Sequence, residues 1–230
     1  MPSQSEIKVM ASAAFKEAYL ELVPMFERGS GHKVTTTWAS SSDIINRVKA
    51  GEATDLIVMA GDAIDQLIAA GKLAQGSRVD IACSWVAVAV KKGAAKPDVS
   101  SGEALKRTML AAKSIAYSTG PSGVYLISLF QRMGIADQLA PKVKQIKGEP
   151  VGAVVARGDA EIGFQQMSEL LPVPGIDILG GLSKDIEQIT RFSTGRHVNT
   201  ASAAAADALT HFFKAPAAHA IIRAKGMEPV

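Results

Sequence analysis

The chain has 230 residues, of which 47% are hydrophobic and 5% aromatic, and its formal net charge at pH 7 is +3. That length suits one large domain or two lobes of about 100 residues each. Lysines and arginines do not cluster among stacking aromatic side chains, which argues against a nucleic-acid surface. The single cysteine, Cys83, excludes an intramolecular disulfide and a zinc site that needs several cysteines. No stretch is long and apolar enough to span a membrane, so we expect no membrane insertion.

Three strand–helix units occupy the first 72 residues, where apolar runs alternate with amphipathic stretches as in an α/β fold. The predicted strands are residues 7–10, Lys33–Trp38 and Leu56–Met59, and apolar residues at helical spacing follow each of them. Asp62 is expected to cap the third helix. The first strand begins so early that it leaves no room for a signal peptide. We therefore expect either a mature periplasmic form whose signal peptide has been removed, or a cytoplasmic protein if Met1 is the native start.

A long apolar strand, residues 81–90, precedes a second α/β series. The rest of the chain is predicted to hold helices at 101–112, 124–133, 151–157, 167–171, 202–214 and 216–225, strands at 114–117 and 161–164, and extended segments at 176–179 and 188–192.

Several reactive or metal-binding chemistries find no support in the sequence. The four histidines show no metal-ligand spacing. Residues 120–123 resemble a nucleophile elbow, but the second glycine of that motif is replaced by Val124. The turn at residues 29–31 lacks the lysine and the spacing of a phosphate-binding loop. We therefore expect no metal, no nucleotide and no other cofactor.

Small and hydroxyl residues recur where a predicted strand gives way to a helix: at Ser12, at residues 40–42 and at residues 119–123. The first turn of a helix has unpaired backbone N–H groups and a positive dipole end, which together attract anions. Such serines are also common as ordinary helix caps. Three such strand-to-helix junctions favour an anion site at the carboxyl ends of the strands. The backbone N–H groups of residues 13–14, 41–42 and 123–124 are expected to be further donors.

Three segments make the sequence similar to the molybdate-binding protein family. The members of this family are periplasmic receptors of the two-lobed type II fold. They are WASSSDIINRVKAGEATDLIVMAGD (38–62), GPSGVYLISLFQRMGIADQLAPKV (120–143) and PVGAVVARGDAEIGF (150–164). The resemblance implies two lobes, each a mixed sheet flanked by helices, that close on an oxyanion. It places lobe one at residues 1–80 plus 195–230 and lobe two at residues 81–194.

The chain departs from the family's pattern at positions that bear on the ligand. Ala14 stands where the family has a serine, and Gln166 stands where it has a tyrosine. Pro150, which has no N–H, replaces a valine that gives a backbone donor. These changes favour an organic carboxylate over molybdate. The residues expected to bind the ligand are Ser12, Ala13, Ala14, Ser40, Ser41, Ser42, Thr119, Ser122, Gly123, Val124, Pro150, Gln165 and Gln166.

The resemblance implies a monomeric solute-binding receptor that delivers a small anion to an ABC-type membrane permease. The alternative is an enzyme, because aconitate isomerase also resembles this receptor family. That reaction moves a proton next to a carboxylate and needs a base. Glu149 is the candidate by position, ahead of Glu169 and His197, although a role as a surface carboxylate is the interpretation that we favour for it.

Overall fold

The computed structural model describes residues 5–230, and the chain divides into two compact units. The first unit takes the chain up to Ser84 together with Thr190–Val230, and the second unit is Trp85–Ile189. The chain therefore leaves the first unit once and returns to it once.

The first unit contains a sheet in the order β2-β1-β3-β9. Its strands are β1 (Glu6–Ala11), β2 (Lys33–Trp38), β3 (Leu56–Ala60) and β9 (Ile189–Arg196). β1 pairs in parallel with both β2 and β3, whereas β9 runs antiparallel to β3. The carboxyl ends of β1, β2 and β3 and the beginning of β9 therefore share one border of the sheet, which we call the first-unit edge.

Helices cover both faces of this sheet. They are α1 (Lys16–Ser30), α2 (Ser41–Lys49), α3 (Gly61–Ala69), α9 (Ala203–Lys214) and α10 (Pro216–Ala224). Val9 packs with α1, α9 and α10, while the next residue, Met10, packs with α2 and α3. Successive side chains of a strand point to opposite faces, so β1 is apolar on both sides.

The second unit is built around a strand that begins in the first. Its strands are β4 (Val79–Lys91), β5 (Ile115–Ser118), β6 (Val143–Ile146), β7 (Ile162–Gln166) and β8 (Ile176–Gly181). β5 pairs in parallel with β6 and β7, whereas β7 and β8 run antiparallel to β4. The carboxyl ends of β5, β6 and β7 therefore share a border, which we call the second-unit edge.

Five helices belong to this second unit: α4 (Gly102–Ala111), α5 (Pro121–Arg132), α6 (Ala136–Leu139), α7 (Val151–Arg157) and α8 (Met167–Leu170). A two-residue strand, β10 (Glu228–Pro229), pairs with the first half of β4. The predicted α/β alternation is confirmed.

Two details of the predicted elements are wrong. The helix expected at 124–133 begins at Pro121, because Gly120 caps it and the ring of Pro121 fixes a helical φ. Asp62 does not cap α3, since Ala60 holds that position and Asp62 lies in the first turn, where its charge favours the helix dipole. β6 and α6 were not predicted, because β6 is only partly buried and both elements are four residues long.

Candidate functional site

Ser12 lies at the first-unit edge, directly after β1, and its side chain is buried. It is 7% exposed and precedes a short 3-10 turn, Ala13–Phe15, which it does not cap with its hydroxyl. Its backbone N–H donates to the carbonyl of Val58 at 2.9 Å, but its Oγ has no hydrogen-bond partner among the described residues. Ala14 is buried, and Ala13 is exposed. A buried hydroxyl without a partner is unfavourable, so Ser12 is suited to donate to a bound ligand.

The serine run follows β2 at the same edge, and its three members differ. The amide of Ala39 donates to the carbonyl of Ala11 at 3.2 Å, which holds this segment beside Ser12. Ser40 is the cap of α2, where its Oγ accepts from the amide of Asp43 at 3.2 Å and lies 3.0 Å from Ser42 Oγ. Ser42 is exposed, and Ser41 is half-buried. Ser40 therefore has the structural role of a cap, whereas the binding role expected of Ser41 stays a prediction.

The turn that leads into α5 uses its polar groups internally. Ser118 Oγ and Ser122 Oγ lie 2.9 Å apart, and Ser122 is fully buried. The amides of Gly123 and Val124 donate to the carbonyl of Gly120 at 3.0 and 3.2 Å, so the expectation that these two are free donors is wrong. A Cβ at Gly123 would lie 1.7 Å from the carbonyl oxygen of Ser118, so α5 packs too closely on β5 for any side chain there.

The remaining positions of this turn differ in exposure. Val124 is 66% exposed, and Thr119 is half-buried. Exposure alone does not show whether Thr119 or Val124 binds a ligand, so their expected roles stay predictions.

Pro150, Gln165 and Gln166 lie close together at the second-unit edge. Pro150 occupies the cap position of α7, and the amide of the next residue, Val151, donates to Gln165 Oε1 at 2.8 Å. Gln165 is 5% exposed, and Gln166 is fully buried at the end of β7. The Gln165 side chain thus accepts the first backbone N–H of α7, directly after Pro150.

Glu169 is joined to the same cluster. Gln165 Nε2 donates to Glu169 Oε1 at 2.9 Å, and the backbone amide of Gln166, which is the cap position of α8, also donates to this carboxylate. Burial raises the pKa of Glu169 to about 7, because desolvation outweighs these two hydrogen bonds. The position three residues after a helix cap, where glutamate often bonds back to the cap amide, was the sequence signal for this contact. The second unit therefore holds a carboxyl group that gains and loses its proton near neutral pH.

Glu149 and His197 lie in different surroundings. Glu149 is exposed and pairs with Arg157, whose Nη1 and Nη2 lie 2.7 and 3.1 Å from its carboxylate oxygens. This contact lowers the pKa of Glu149, which makes the group a weaker base. His197 follows β9, whose end pairs with the beginning of β3, so it lies at the border opposite the first-unit edge. Of the three candidates, Glu169 alone is a desolvated carboxyl group beside expected ligand residues.

Between residues 5 and 230 no group of three or more histidine, cysteine, aspartate or glutamate side chains could hold a metal ion. Within the same range no helix is long and apolar enough to cross a membrane.

A family model for bacterial extracellular solute-binding proteins matches residues 7–228. The chain belongs to this family. One relative is an aconitate isomerase from Pseudomonas sp, which is 40% identical over 230 residues that cover 97% of this chain and 88% of the relative. A molybdate-binding protein from Azotobacter vinelandii is 27% identical over 96% of this chain and 89% of its own length. The resemblance to molybdate-binding proteins is therefore confirmed.

Solved structures of this kind share the fold. The periplasmic molybdate-binding protein of Azotobacter vinelandii superposes with a TM-score of 0.79, 21% identity and coverage of 96% of this chain and 98% of that one. The sulfate-binding protein of Mycobacterium tuberculosis H37Rv gives a TM-score of 0.80 at 16% identity, over 99% of this chain and 88% of that one. The expected fold of periplasmic binding proteins is confirmed.

Proposed function

We propose that the chain binds a small organic polycarboxylate and interconverts cis- and trans-aconitate. The observation that carries this proposal is the partly buried carboxyl group of Glu169, held beside Gln165 and Gln166 in a chain that is 40% identical to an aconitate isomerase over 97% of its length. An ordinary surface glutamate is almost fully ionised at neutral pH and is a weak base. Glu169, whose pKa is about 7, can both take and return a proton at that pH.

The reaction needs a proton to move between two carbons. The Glu169 carboxylate takes a proton from the methylene carbon of aconitate, and the C–H electron pair forms a new double bond to the central carbon. As that bond forms, the electron pair of the former double bond moves to the vinylic CH carbon on the other side of the central carbon, and this carbon takes the proton back from Glu169. No oxidant, metal or cofactor enters this balance. Glu169 is free again after each turnover, so one carboxyl group can act first as base and then as acid.

Neutral donors suit a ligand with several carboxylates. At the first-unit edge the Ser12 hydroxyl is buried and has no partner among the described residues. At the second-unit edge Gln165 and Gln166 bring amide groups, which can donate to planar carboxylates. Both edges lie at the carboxyl ends of parallel strands, where α/β sheets bind their ligands.

The same positions disfavour molybdate. Ala14 has no hydroxyl, Pro150 has no N–H, and the neighbouring amide of Val151 is already bonded to Gln165. Each donor lost to a charged ligand costs about 1.5–3 kcal/mol, so two lost donors cost roughly two to four powers of ten in affinity. We expect molybdate to bind weakly, and calorimetry that finds tight, selective molybdate binding would refute this part of the proposal.

A second candidate function is a receptor that binds a carboxylate and passes it unchanged to an ABC permease. Membership of the solute-binding family favours it, because a receptor needs donors for its ligand but no base. In that case Glu169 would serve only to accept a hydrogen bond from the amide of Gln166, the cap residue of α8. The monomeric state and the periplasmic location that the resemblance implies stay predictions in both cases.

Proton NMR in deuterated water distinguishes the two functions. The protein is incubated with cis- or trans-aconitate, and both isomers and their deuterium content are followed over time. Interconversion of the isomers, with or without deuterium incorporation, supports the isomerase, because Glu169 can return the proton that it took before that proton exchanges with the solvent. Binding without exchange, with both isomers recovered unchanged, supports the receptor. If neither isomer binds in calorimetry, the polycarboxylate assignment is wrong.

A further inference from the structure

Lys16 places a positive charge at the first-unit edge. It is the first residue of α1 and follows Ser12 by four positions. Its Nζ lies 5.5 Å from the centroid of the Trp38 ring. Trp38 ends β2 and is paired in register with Ala11, the residue before Ser12. The ammonium group is thus held beside the strand ends that carry Ser12 and the serine run.

The charge of Lys16 is not balanced by an acidic side chain among the described residues. A cation in the first turn of a helix opposes the helix dipole, which favours anions there. Among residues 5–230 no carboxylate lies within ion-pair distance of Lys16, whereas Arg47, Arg78 and Arg223 each have an acidic partner. The Trp38 ring attracts the ammonium group and limits its range of positions.

A second observation at the same place points to an anionic ligand. Ser12 is 7% exposed, and its buried hydroxyl has no hydrogen-bond partner among the described residues. A neutral hydroxyl donates one hydrogen bond to a carboxylate, but it does not compensate the charge of a ligand with several carboxylates. A nearby cation without an acidic partner provides that compensation.

We propose that Lys16 is the residue that makes the site specific for ligands with more than one carboxylate. One carboxylate accepts from Ser12, and the Lys16 ammonium binds another. This inference rests on the proposed binding of carboxylates, although it applies equally to an isomerase and to a receptor. It also predicts that the preference for polycarboxylates depends on ionic strength, since salt screens charged contacts of partly exposed groups.

Calorimetry of the full chain with trans-aconitate, which has three carboxylates, and acrylate, which has one, tests the proposal. Lys16→Met should weaken trans-aconitate binding about 10- to 100-fold and leave acrylate binding within about threefold. Lys16→Arg should restore most of the affinity. Trp38→Leu should weaken binding less than Lys16→Met, because the charge remains but loses its support.

Lys33→Met is the matched control. Lys33 is exposed at the opposite end of β2 from Trp38, so this change removes a lysine charge from the same unit without altering the first-unit edge. An equal, small effect of Lys16→Met and Lys33→Met on trans-aconitate affinity would overturn the role of Lys16. A wild-type chain that binds no carboxylate would instead overturn the proposed function, so the two failures give different results. Circular dichroism melting of each variant shows whether the fold is retained.

Discussion

Glu149 and Glu169 belong to the same unit, and each lies near the start of a short helix, α7 and α8 respectively. Glu149 is exposed and bonded to Arg157, which lowers its pKa. Glu169 is partly buried and receives hydrogen bonds from Gln165 and the backbone of Gln166, while desolvation raises its pKa to about 7. The comparison shows that the chemistry of a carboxyl group depends on its solvation and its partners rather than on its distance along the chain from a motif.

The largest expected difference between the two glutamates is in catalysis. Glu169→Gln should reduce the interconversion of aconitate isomers about 100- to 10,000-fold, the usual contribution of a general base, whereas Glu149→Gln should leave the rate within about twofold. The glutamine at 169 can still accept both hydrogen bonds, so the fold should be retained. Rates come from proton NMR, and an active Glu169→Gln variant would remove Glu169 from the reaction.

The next largest effect is the dependence of stability on pH. Because the pKa of Glu169 in the folded state lies above its ordinary value, the folded chain binds more protons than the unfolded chain between about pH 4.5 and pH 7. This contribution is therefore full at low pH and is lost as the pH rises through about 7. The free energy of unfolding should fall by up to about 3 kcal/mol between pH 5 and pH 8.

Urea unfolding at several pH values measures this slope. Glu169→Gln should flatten it, while Glu149→Gln should leave it unchanged. A wild-type stability that is constant from pH 5 to pH 8 would mean that the Glu169 carboxyl is well solvated.

The sequence was sufficient for the α/β alternation and for the positions of most strands, because apolar periodicity reports which faces are buried. It was also sufficient to place Ser12 and Ser41 at strand ends, since parallel strands share an edge. It could not show which hydroxyls are already bonded. Ser40 is bonded to Asp43, and Ser122 to Ser118, through contacts whose geometry is set only in the folded chain.

The burial of Glu169 was beyond the sequence for a similar reason. Its solvation depends on how α8 packs against β7 and β8, an arrangement that exists only in the folded chain. The pairing of Glu149 with Arg157 requires the whole of α7 between them to be helical. The place of Glu169, three residues after a helix cap, therefore indicated the desolvated carboxyl group better than the place of Glu149 before Pro150.

A smaller effect is expected from Gln165, which connects the two helix starts. Gln165→Leu leaves the buried amide of Val151 without its acceptor and removes a donor from Glu169. An unpaired buried polar group costs about 1–3 kcal/mol of stability. The loss of the donor should also raise the pKa of Glu169 further, so the pH at which the isomerisation rate is half-maximal should move upward.

Gln145→Leu is the control for this change, because Gln145 is exposed on β6 of the same unit. It should alter neither the urea midpoint nor the pH profile measurably. A Gln165→Leu variant with the wild-type pH profile would show that Gln165 does not tune the carboxyl group.

The smallest effect is expected at the surface ion pair. Glu149 and Arg157 are both exposed, and solvent and salt screen the attraction between such groups. Because the pKa of Glu149 is lowered in the folded chain, whatever stability the pair provides is present above the ordinary glutamate pKa and is lost as the pH falls below it. At pH 7 in 0.5 M sodium chloride, Glu149→Gln and Arg157→Gln should therefore unfold in urea at the wild-type midpoint within error. A urea midpoint that falls clearly in both variants, and by the same amount at low and high salt, would contradict this prediction. It would show that the pair is less solvated than its exposure indicates, so that Glu149 and Glu169 would differ only in how far each is desolvated.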